Sequence, residues 1–211
     1  MIMPSTIAKE NMLRRVRQAL SQPVPMPFPN SEGQQAVFPK SKEDDTVLFA
    51  ENFSALQGKF VYCLNEEELM KHLTVLIQSK KWQHIFCSDN KLLPFLESAG
   101  MSPFNDLASC EAAITGCEYL VARTGSIVLS SQAADGRTAS VYAPIHLCIA
   151  YQHQLYYDLK DVLAFLKSKY KKGLPSLISF ATGPSRTADI EKTLVTGVHG
   201  PKEVYCFFVE S

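Results

Sequence analysis

The stretch Thr182-Gly183-Pro184-Ser185-Arg186-Thr187-Ala188-Asp189-Ile190-Glu191 gathers hydroxyls, an arginine and two carboxylates just beyond the apolar run Leu177 to Ala181. Read as a strand, a turn and a helix start, it places free backbone N–H groups where phosphate or carboxylate binds. Open α/β sheets hold their ligand crevices at the carboxyl ends of strands. Gly183 and Pro184 turn the chain, Ser185 or Thr187 caps the new helix, and Arg186 offers a bidentate grip on an anion. A second reading stands beside this one. Asp189 and Glu191 in a first helical turn stabilise the helix by themselves and repel an anion.

The segment Thr196-Gly197-Val198-His199-Gly200-Pro201 sets a histidine between two glycines, on a turn rather than on an apolar face. A carboxylate neighbour would fix its tautomer and suit it to acid–base work near neutral pH. His199, Asp189 and Glu191 are therefore the catalytic candidates, the alternative being a histidine that only stitches its loop to the helix. His146, which follows Pro144 at a strand start, could join them in a metal site only if the fold collects all four. No His-x-x-x-His or Cys-x-x-Cys spacing supports that, so neither a metal nor a cofactor is expected. Thr124-Gly125-Ser126 and Arg137 add hydroxyls and a cation suited to an oxyanion, although Thr-Gly-Ser is also a common turn. The Gly-x-Ser-x-Gly elbow of serine hydrolases is absent. Gly200 completes the ligand-binding candidates with Thr124, Gly125, Ser126, Arg137, His146 and Gly183 to Thr187.

The elements that must position these residues alternate. A helix over Asp45 to Leu56 precedes the apolar run Phe60 to Leu64; Asn65 then caps a helix with Glu68 at its third position and Leu69, Leu73, Leu76 and Ile77 as its stripe. A strand His84 to Cys87 and a helical stretch Leu92 to Ser98 follow. Tyr119 to Ala122 and Ile127 to Ser130 read as strands joined through a turn at Gly125. Leu147 to Tyr151 leads to a helix capped by Asp158 and stopped at Gly173. Leu177 to Ala181 and Glu203 to Val209 are the last strands, with one short helix between them. Apolar runs without strict alternation indicate a sheet covered on both faces. The expectation is an α/β, three-layer fold, a mostly parallel sheet with helices on both faces and an antiparallel element near residues 119 to 156. The candidate residues should then share one cleft at the carboxyl ends of its strands.

Residues 6 to 20 read as an amphipathic helix with Leu13, Val16 and Leu20 on one face, suited to its own domain or to a second subunit. The alternate prolines Pro23 to Pro29 make a stiff linker. The chain thus divides into residues 1–42 and an α/β domain over 43–211.

Lys plus Arg and Asp plus Glu number 21 each in 211 residues, a net charge of zero that lacks the electrostatic footprint of nucleic-acid binding. With 46% apolar and 20% charged residues the chain supports one sizeable core. Its longest apolar stretches fall far short of the roughly 18 residues that span a bilayer. The start lacks a secretory apolar region, and the six cysteines sit mostly between large apolar residues. These are marks of core thiols in a reducing cytoplasm rather than iron–sulfur ligands.

Taken in order, Ala122 to Leu129, Pro144-Ile145-His146, Thr182 to Glu191 and Gly197 to Pro201 resemble the lactate-utilisation (LUD) domain family, and within it the C-type branch. The resemblance covers about residues 43 to 209. It implies a bacterial cytoplasmic protein with a fold similar to the sugar-phosphate isomerase, CoA-transferase and formyltetrahydrofolate cyclo-ligase group. It also implies a non-redox role in oxidising L-lactate to pyruvate beside iron–sulfur partner proteins, with an anionic small molecule in the cleft. Many relatives carry glutamate where this chain has Arg123, so the resemblance transfers no carboxylate role to that position. Two other functions compete: a stand-alone enzyme acting on an acyl-CoA, a sugar phosphate or a folate, and a ligand-sensing or assembly module.

Overall fold

A computed structural model describes residues 4–21, 38, 40–98, 100–132, 138–171, 173–190 and 193–210. The chain forms two compact units, residues 1–40 and 41–211. In the first, α1 spans Pro4–Leu20; the linker prolines and Arg137 fall outside the described residues.

The second unit opens with α2, Asp45–Ala55, whose N-cap Asp44 accepts hydrogen bonds from the N–H groups of Thr46 and Val47. Strand β1, Lys59–Cys63, leads to α3, Glu66–Lys80. There the Asn65 side chain accepts from Glu68 N–H at 3.0 Å, while the Glu68 carboxylate reaches back to Leu64 N–H at 2.9 Å. Next come β2, Ile85–Phe86; α4, Leu93–Ser98; β3, Ala112–Thr115; β4, Tyr119–Val121; and β5, Ser126–Ser130. The chain continues through α5, Ala139–Tyr142; β6, Ile145–Tyr151; β7, Leu155–Tyr156; α6, Leu159–Lys169; β8, Ile178–Ala181; β9, Arg186–Ile190; β10, Thr193–Thr196; and β11, Glu203–Val209.

The central sheet is parallel throughout, in the order β1-β11-β6-β3-β2. Period-two alternation sends one set of its side chains to each face. Leu147, Ile149, Phe207 and Val209 pack with Leu69 and Leu73 of α3 and Leu96 of α4. Cys148, Ala150, Cys206 and Phe208 pack on the other side with Phe49 and Phe53 of α2. Helices therefore cover both faces, as the apolar runs required. The second face also carries a smaller mixed sheet, β7-β4-β5-β8, whose Leu120, Ile127 and Leu129 join the same core. Its outer face, Val121 and Val128, is closed by Val162 and Leu166 of α6. The antiparallel element is the pair β4 and β5, with Val121 opposite Ser126.

The structure corrects the expected helix after β8. No helix starts at Ser185 or Thr187: Arg186–Ile190 and Thr193–Thr196 form an antiparallel hairpin, with Thr187 opposite Val195. The β-branched Thr187, Ile190, Thr193, Val195 and Thr196 fit a pleated ladder better than a helix. Hydroxyl and acidic residues mimic a cap only locally. The anion site at a helix start falls with that helix.

Candidate functional site

The last turn of α2 is the surface on which the candidate segments meet. Asn52 donates from Nδ2 to the carbonyls of Ala122 at 3.0 Å and Arg123 at 3.2 Å. Gly125, at φ +58°, lies so close that a Cβ there would stand 2.4 Å from Phe53 N. Gly183, at φ +147°, is as tight, with a Cβ falling 2.6 Å from the Leu56 carbonyl oxygen. Only glycine accepts both the conformation and the proximity. That same Leu56 carbonyl accepts a hydrogen bond from Arg186 Nη2. Two turns far apart in sequence, 122–126 and 183–186, thus clamp one helix end.

The 197–202 loop joins them. Ser185 N–H donates to Pro201 O at 2.9 Å, Gly197 N–H to Ser185 O at 2.9 Å, and Lys202 N–H to Pro144 O at 2.7 Å. Gly200 approaches Ser185 closely enough that a Cβ would lie 2.9 Å from the serine Cβ. His199 is exposed beside this contact. Thr124 and Ser126 share a hydrogen bond of 2.6 Å between their hydroxyls, with Ser126 buried.

The cluster sits at the carboxyl ends of β4 and β8 but at the amino ends of β1, β6 and β11, which begin at Lys59, Ile145 and Glu203. For the central sheet this reverses the edge expected from strand order. The reason is topological: the segments after β8 and before β11 return to the start of the parallel strands.

His146 is sealed in the core, fully buried, with Nε2 2.8 Å from the Thr115 hydroxyl. Burial pushes its ring down to about 4, so it is neutral. Its Nδ1 is buried with no hydrogen-bond partner among the described residues. Val204, its register neighbour, belongs to the apolar cluster of Phe53 and Ala122, which places His146 beneath this face rather than on its surface. Asp189 lies within β9 and Glu191 outside the described residues. Pro184 and Thr187 flank the Ser185 contact. Arg123 turns away: its Nε donates to Asp158 at 2.6 Å, and its backbone N–H donates to Tyr157 O. The Lys160 N–H and then Arg123 hold the Asp158 carboxyl below its ordinary range. The charge at position 123 is thus directed to the cap of α6.

Two groups escaped the sequence reading. Asn52 is 70 residues from the turn it fixes. Glu118 is buried and accepts from Ser130, Tyr170 and Lys169, the last two 52 and 51 residues away. Such partnerships leave no local spacing to detect. A charged residue between the apolar Cys117 and Tyr119 was the available signal.

A model of the LUD domain matches residues 97–209, the stretch holding every candidate segment. The chain belongs to the LUD domain family. The LUD domain here is similar to a Geobacillus protein named lactate utilization protein C, 35% identical over 106 residues, 49% of this chain and 44% of the relative. A Halalkalibacterium halodurans protein of the same name is 39% identical over 98 residues, 46% of this chain and 42% of the relative. An uncharacterized Neisseria meningitidis protein is 33% identical over 94 residues, 44% and 40% of the two chains. The matches span less than half the length of these relatives. The crystal structure of a DUF162 family protein from Deinococcus radiodurans superposes with a TM-score of 0.61 at 20% identity, covering 81% of this chain and 99% of that one. It establishes the α/β fold.

Proposed function

We propose that this chain is a non-redox component of a system that oxidises L-lactate to pyruvate, acting in the cytoplasm beside iron–sulfur partner proteins. The observation that carries the reading is its similarity to proteins named lactate utilization protein C, at 30–39% identity. In this reading a small anionic molecule binds where the Thr124–Ser126 turn, Gly183 to Thr187 and His199-Gly200 gather on α2. Arg186 is exposed and uses one N–H on Leu56, so its remaining donors are open to an anion. His199 handles the proton, with Asp189 and Glu191 as carboxylate partners, and Arg137 adds charge.

Cysteine placement supports the non-redox role. Five of the six thiols are buried, and burial pushes Cys63 and Cys87 up to about 11. These thiols pack the core. The basic helix α1 exposes Leu13, Val16 and Leu20 along one stripe, which suits pairing with a second copy of the chain.

Clean deletion of the gene, followed by growth on L-lactate as sole carbon source, tests the role. The expected result is lost growth, restored by the intact gene, with iron–sulfur proteins co-purifying on the tagged chain. Normal growth without a compensating paralogue contradicts it.

A further inference from the structure

The carboxyl ends of β2, β3 and β6 open onto a cavity of about 710 Å³, walled by Asp89 and Lys91 of the β2–α4 loop, Glu118, Gln132, and Lys169 and Tyr170 at the end of α6. This is the edge at which parallel sheets receive ligands. It lies the length of β6, roughly 20 Å, from Pro144, where the 197–202 loop docks. It is therefore a different place from the cluster on α2.

Glu118 organises one wall. Its side chain is 4% exposed. One carboxylate oxygen accepts from Ser130 Oγ at 2.6 Å and from Tyr170 OH at 2.5 Å; the other accepts from Lys169 Nζ at 2.6 Å. Burial alone would raise this carboxyl, yet Lys169, Ser130 and Tyr170 together hold it below its ordinary value. The carboxylate is thus ionised and committed to three donors. Lys169 keeps half its side chain exposed, and an ammonium with one proton on Glu118 retains two more to donate. Exposed Lys91 faces the cavity from another wall. Asp89 already accepts Lys91 N–H on one oxygen at 3.0 Å. Its second oxygen is 3.1 Å from where a Cβ of Gly116 would stand, so Gly116 keeps it uncrowded.

Glu118 is fully engaged and Asp89 on one oxygen, while the two ammonium groups keep unused donors, which favours an anion over a cation. Of the other polar wall groups, which include Asn90, Tyr151, His153 and Gln154, Asp89 Oδ2 and the Gln132 amide suit hydroxyls. We propose that this cavity binds a small hydroxylated organic anion, its charged end between Lys91 and Lys169 and its hydroxyls on Asp89 and Gln132. The site goes beyond the lactate-utilisation reading and is independent of it.

Isothermal titration calorimetry of the full chain with glycerol 3-phosphate and with D-glycerate separates a phosphate ester from a carboxylate source, with inorganic phosphate as the bare ion. The expected result is binding of one organic anion, with Kd raised at least about tenfold in Lys91→Ala and in Lys169→Gln, the worth of one charge-assisted bond. Lys169→Gln strips a partner from buried Glu118; if it fails to fold, Lys91→Ala, outside that trio, decides. Neither Lys91 nor Lys169 belongs to the α2 cluster, so a failure of that cluster leaves this result standing. Absence of binding at millimolar concentration overturns the proposal. So does an unchanged Kd in Lys91→Ala, or inorganic phosphate binding as tightly as the organic anions.

Discussion

Gly125 combines a left-handed backbone, φ +58°, with a position against α2 that leaves no room for a methyl group. Gly125→Ala separates into two costs. Holding an L-residue in that conformation costs about 1–2 kcal/mol. A Cβ 2.4 Å from Phe53 N and 2.9 Å from its Cα cannot be relieved by a rotamer change, because the obstacle is backbone. Overpacking of this kind costs about 1–3 kcal/mol, for a total of about 2–5 kcal/mol. Gly100 is the control: its φ is +76° and nothing lies within 4 Å of a Cβ there. Gly100→Ala carries the backbone cost alone and the same change in unfolded-state entropy. Urea denaturation of the two variants should therefore show Gly125→Ala less stable than Gly100→Ala by about 1–3 kcal/mol. Equal stabilities would refute the close packing of the 122–126 turn on α2, and with it the geometry on which the site is built.

Further expectations concern burial and charge. His146 titrates at about 4 when folded against 6.5 as its ordinary value, so the unfolded chain binds the extra proton. Stability is then lost as pH falls from 6.5 through 4, by about 3 kcal/mol in all, and His146→Leu should flatten that part of a stability–pH curve. Glu118→Ala removes the acceptor shared by Lys169, Tyr170 and Ser130; because Lys169 is half exposed and stays solvated, the cost is that of the buried Ser130 hydroxyl and its neighbours losing their acceptor, about 1–3 kcal/mol in urea denaturation and more than removal of an exposed carboxylate. Asn52→Ala removes the Nδ2 donor from the Ala122 and Arg123 carbonyls, the first of which keeps the Gly125 N–H, and should cost about 1–3 kcal/mol by the same measurement.

Local signals carried much of the fold. Asn65 and Asp158 mark the starts of α3 and α6 because a cap is decided by one side chain and the two or three N–H groups after it. Apolar runs mark β6 and β11 for the same local reason. β3 was invisible: Ala112-Ala113-Ile114-Thr115 is four residues long and half alanine, and is a strand because β2 and β6 sandwich it. The 186–196 hairpin was hidden differently, behind hydroxyl and acidic residues that imitate a helix cap. The site shows the same division. Gly125, Gly183 and His199 stood out from their immediate neighbours. Asn52, the Glu118–Lys169 pair and the Arg123–Asp158 pair act across 35 to 71 residues, and only the folded chain brings their partners within reach.

Growth on L-lactate should depend on Arg186 and His199, the exposed members of the cluster gathered on the end of α2. Complementation of the deletion strain with Arg186→Ala/His199→Ala, after circular dichroism has shown the variant folded, tests it most directly. The double variant should accumulate to the parent level yet fail to restore growth on L-lactate. Full growth with that folded variant would contradict it.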